Sequence, residues 1–69
     1  MDPYDINMAG EALTIHPQED GTYLVIKGHE RVMHLYPDVT NLGVTWHTAD
    51  SIPTEYVKEV GELIEKHEI

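Results

Sequence analysis

The chain lacks cysteine, and only four Lys and Arg stand against thirteen Asp and Glu in 69 residues. Without cysteine there is no disulfide framework and no thiolate zinc site, which fits a reducing cytoplasm. No apolar run is long enough to span a bilayer. The first twenty residues include Asp2, Asp5 and Glu11 and lack the basic start and apolar stretch of a secretory signal. Also missing are the phosphate-cradling loops G-x-G-x-x-G and G-x-x-x-x-G-K-[ST] and the G-x-S-x-G nucleophile turn. The expected location is cytoplasmic.

Sixty-nine residues make one domain, residues 1–69. So short a chain buries only about 60% of the surface it exposes when unfolded. A pocket of roughly 300 Å³ or more, as a substrate site needs, would hollow out its core. No catalytic residue, cofactor or metal is assigned, and binding is expected rather than catalysis.

What the chain has is negative charge. The formal net charge is −9, and protonating all five His leaves it at −4. Such a field repels nucleic acid and anionic lipid and attracts basic protein surfaces. The His residues do not form a zinc-protease motif. His29-Glu30 precedes His34 with the spacing HExxxH, which on a helix puts the imidazoles about 140° apart. The segment also reads as turn and strand, and a His34–His47 metal pair is discounted in favour of ordinary surface histidines.

Residues 1–10 show no sustained period and read as an arm, with an extended piece around Tyr4 to Met8. From Glu11 the chain alternates, Leu13 and Ile15 facing one way. Pro17 to Gly21 is a turn, and Thr22 to Lys27 returns as a second, β-rich strand. Arg31 to Tyr36 reads as a third strand stopped by Pro37, which has no N–H for a ladder bond. Residues 37–43 read as a loop, and Val44 to Thr48 as a short fourth strand.

A helix is expected over about 53–67, capped by Ser51. Tyr56, Val57, Val60, Leu63 and Ile64 fall on one face of it. Gly61 is unfavourable by about 1 kcal/mol relative to Ala, and is read as allowing close approach to the sheet. The expected fold is α+β: a three- or four-stranded, mostly antiparallel sheet packed on one C-terminal amphipathic helix. Tyr23, Val25, Val32, Tyr36, Val44 and Trp46 look too apolar for a solvent face and hint at a homodimer through an uncovered sheet face.

The opposite helix face is acidic: Glu55, Glu59 and Glu62 form a stripe with Glu65 beside it. Residues four apart are displaced by about 6 Å along the axis, close to the spacing of phosphates along a nucleic-acid strand. Lys58 and Lys66 are expected to pair with Glu55, Glu62 and Glu65. Glu19, Asp20, Glu30, Asp38 and Asp50 add charge outside the helix.

With helix Glu55, Glu59, Glu62 and Glu65 and turn acids Glu19 and Asp20, the chain resembles the small acidic host-takeover proteins of bacteriophages. Some of these mimic DNA and block basic proteins such as the bacterial nucleoid protein HU. The resemblance is one of size, charge and layout. It implies a DNA-mimic inhibitor acting on a basic DNA-binding protein, in the host cytoplasm if phage-encoded, with no direct nucleic-acid or membrane contact. The alternative is an acidic accessory or antitoxin-like domain that binds through its sheet face.

Overall fold

The computed structural model describes residues 2–68. Five strands, β1 (Tyr4–Met8), β2 (Glu11–Pro17), β3 (Tyr23–Lys27), β4 (Glu30–Thr40) and β5 (Gly43–Thr48), precede one helix, α1 (Thr54–Glu68). The strands form an antiparallel meander in the order β1-β2-β3-β4-β5. The α+β class and the C-terminal helix stand, but the sheet has five strands, not three or four.

The additional strand is the expected arm. Ile6 and Met8 alternate with polar neighbours, pair with Leu13 and Glu11, and reach the core. Ala9 (φ 53°) and Gly10 (φ 85°) form the two-residue connection. Two successive positive φ angles are the geometry that matches strand twist in a tight hairpin. Asn7 Oδ1 accepts the Gly10 N–H at 3.1 Å and steadies the turn.

Pro37 does not end its strand. β4 runs on to Thr40, and the expected loop shrinks to Asn41 and Leu42. The β3 pairing stops at Tyr23–Leu35, so the missing N–H of Pro37 faces a side where no strand remains. The β4–β5 hairpin therefore extends beyond the rest of the sheet.

One sheet face carries Ile6, Met8, Leu13, Ile15, Val25, Met33 and Leu35 into the core, where they meet Val57, Val60 and Ile64 of α1. Tyr56 and Leu63 are only half-buried. Val25 is buried, and Tyr23, Val32 and Trp46 pack against this core, so the apolar set expected on an uncovered face lies largely beneath the helix. Tyr36 and Val44 are the members left exposed. Ser51 does not cap the helix. The first helical bond, Val57 N–H to Pro53 C=O at 3.1 Å, makes Pro53 the boundary, because the residue before a proline disfavours helical backbone.

Gly61 is buried against Trp46. A Cβ there would run into the indole ring, so the glycine is what lets the helix cross so near the sheet.

Candidate partner-binding surface

Glu55, Glu59 and Glu62 are exposed on α1. With Lys58 they line a shallow recess of about 300 Å³. The expected pairing by Lys58 and Lys66 is not seen. Among the described residues the direct ion pairs are Lys27–Glu11 (2.9 Å) and Arg31–Asp50 (3.0 Å). Among the described residues, none forms a direct ion pair with the stripe.

Glu65 is different from its neighbours. It is half-buried and accepts a hydrogen bond from Trp46 Nε1 at 3.1 Å, which ties helix to sheet. One turn on, Glu68 accepts from Tyr4 Oη (2.8 Å) and Tyr23 Oη (2.9 Å). Burial, then the hydrogen bond to Glu68, pushes the Tyr23 phenol up to about 12 and raises Tyr4 further still. Tyr4 also stacks on His67, with centroids 3.6 Å apart. Residue spacing does not single out Glu68, Tyr4 and Tyr23, since their meeting depends on tertiary contact.

The acids outside the helix do not converge. Asp50 accepts from both Arg31 Nη atoms (3.1 and 3.0 Å), from the His34 N–H (2.9 Å) and from Thr48 Oγ1 (3.2 Å). The His34 N–H, then Arg31, hold its carboxyl below the usual range. This carboxylate locks the end of β5 onto β4. Asp20 accepts from the Thr22 N–H (3.0 Å) and from the Thr22 hydroxyl; the hydroxyl, then the N–H, lower its pKa and shape the β2–β3 loop. Glu19 lies in that loop, Glu30 at the opposite end of the sheet, and Asp38 on the β4–β5 extension. Glu19 and Glu30 are exposed, and Asp38 sits on the strand segment that β3 no longer covers.

The histidines are also dispersed. His47 is opposite Tyr36 in the register and stacks on it at 5.8 Å, while His34 Nε2 meets Thr22 Oγ1 at 2.7 Å. Among the described residues, no group of three His, Asp or Glu is placed to hold a metal ion. Among the described residues, no helix is long and apolar enough to cross a membrane.

Trp46 links two recesses. One, of about 380 Å³, lies against the last turns of α1 and over Tyr23, Val39 and Val44, with Glu65 and Glu68 in its lining. The other, of about 280 Å³, runs between β5 and the flank of α1. The nine acids thus separate into an exposed helix stripe, two hydrogen-bonded staples (Asp20 and Asp50), a latch residue (Glu65) and three scattered charges. No family model, curated protein or solved structure matches the chain.

Proposed function

We propose that the protein is an acidic binding module that occupies the DNA-binding surface of a basic bacterial protein, an HU-like nucleoid protein being the best candidate. The observation that supports this reading is the exposed stripe of Glu55, Glu59 and Glu62, without a direct ion pair among the described residues, on a helix braced by its own core face. Carboxylates displaced along a braced helix by about 6 Å (Glu55 to Glu59) and about 4.5 Å (Glu59 to Glu62) offer a basic surface a row of negative charge comparable to that of a phosphate strand. Glu65 is withdrawn from that stripe by Trp46, so the proposed contact surface is the first three turns of α1.

Binding of this kind weakens steeply with salt, because screening shortens the attraction to about 8 Å at physiological ionic strength. The test is a gel-shift competition with duplex DNA for purified HU. At low salt the protein should displace the DNA. The triple substitution Glu55→Lys, Glu59→Lys, Glu62→Lys, which leaves the apolar helix face untouched, should abolish displacement. Failure of the unaltered protein to displace DNA would count against the HU reading. Full activity of a folded triple variant would remove the stripe from the site.

A further inference from the structure

We propose that the outer edge of β5, with the adjoining flank of α1, accepts an extended basic segment of a partner protein as a sixth, antiparallel strand. This surface uses neither Glu55 nor Glu59, and it does not depend on the partner being a DNA-binding protein.

The backbone makes the edge available. Thr40 and Gly43 close a two-residue hairpin and so form a hydrogen-bonded pair. By alternation Pro37–Trp46, three pairs on, is a non-hydrogen-bonded pair, the position that suits a proline without an N–H. The N–H and C=O of Trp46 therefore point away from β4. By alternation those of Val44 and Thr48 do too. His34 fits the same phase, since its N–H and C=O turn toward the β5 side to meet Asp50 and Thr48. No strand lies beyond β5 among the described residues, and Gly43 to Thr45 are exposed. The strand GVTWHT has no proline, lysine or bulge, the devices that normally blunt an edge.

The side-chain surroundings select the occupant. An added strand would project alternate residues, about 6.5–7 Å apart, over the helix side of β5. There the two recesses share Val44, Trp46 and Glu65, with Glu62 beside one and Glu68 beside the other. Glu65 and Glu68 are used by neutral donors from Trp46, Tyr4 and Tyr23 and keep lone pairs for a cation. An Arg on the incoming strand would lay its apolar stem on Val44, its guanidinium over the indole and its donors on these carboxylates. A second copy of this chain would instead bring a net charge of −9 and its own Glu62, Glu65 and Glu68 to the same edge. Charge favours a basic segment over self-pairing.

Trp46 is the single tryptophan, so its emission reports on the site. The probe is an acetylated, amidated seven-residue peptide in which Arg, Val and Arg alternate with Thr. It should change Trp46 emission saturably. Replacing both Arg with Glu should remove the change. N-methylation of the Arg and Val amides, which would point at β5, should weaken binding at least tenfold, whereas N-methylation of the intervening Thr amides should have little effect. Val44→Pro, which deletes one outward N–H and no β4 bond, should weaken the unmodified peptide similarly. If that variant misfolds, the N-methyl comparison on the unaltered protein decides alone. Equal affinity of the Arg/Val-methylated and parent peptides would overturn strand addition. A dimer in sedimentation that the peptide does not dissociate would overturn the choice of occupant.

Discussion

Gly61 and Trp46 show how one pair of residues sets the distance between two layers. Alanine at position 61 would gain about 1 kcal/mol in helix propensity. Its methyl group, however, meets the indole, and overpacking of this kind costs about 1–3 kcal/mol. Gly61→Ala should therefore be destabilising in urea denaturation. In a Trp46→Ala background, where the obstruction is gone, the same change should turn neutral or stabilising; destabilisation in both backgrounds would assign the glycine to backbone freedom instead. Helical spacing makes Gly61 conspicuous in the sequence, but not its partner. The same holds for the acids. Glu55, Glu59 and Glu62 are exposed as their spacing implies, whereas Glu65, Asp20 and Asp50 look equally free in the sequence. The donors to Glu65 and Asp50, Trp46 and Arg31, stand 19 positions away on strands, and spacing along one element carries no information about them. The donor to Asp20, Thr22, is two residues on in the same loop, a local bond that turn chemistry permits.

Among the elements, α1 is the most readable, because a 3.6-residue period sustained over four turns is hard for any other backbone to produce. Its buried face narrows to Val57, Val60 and Ile64, with Tyr56 and Leu63 at the margin. Ile64→Ala should cost about 2–5 kcal/mol, and Leu63→Ala distinctly less, since Leu63 already keeps some of its surface in water. Melting curves showing the reverse order would place the helix one residue out of rotation. β1 is hard to read because Ala9-Gly10 is a weaker hairpin signal than Asn-Gly or Asp-Gly, and two apolar residues are too few to establish a period. β4 reads short because a proline is a terminator only where its N–H is needed. Which side of the strand is vacant is a property of the sheet, not of the residue.

At the scale of the whole molecule, Tyr4 and Tyr23 join the first and third strands to Glu68 at the far end of α1. Both phenols are raised in the folded state, so the stability they contribute is complete below the ordinary tyrosine value of about 10. It is lost as pH rises through the folded value, about 12 for Tyr23. Thermal melts from about pH 8 to 12 should show this alkaline decline, and the double variant Tyr4→Phe, Tyr23→Phe should flatten it. An unchanged slope would mean that other groups are responsible. The meander has a further consequence for biosynthesis. Every strand pairs with its neighbour in sequence, so each hairpin closes over a short loop, while the Tyr4–Glu68 bond spans 64 positions. The ribosome finishes all five strands before it makes α1. Until that helix emerges, the growing chain presents Leu13, Ile15 and Val25 on an uncovered apolar face beside an open strand edge. A nascent chain halted before Ile64 is thus the form most in need of a chaperone, and the most prone to join another of its kind.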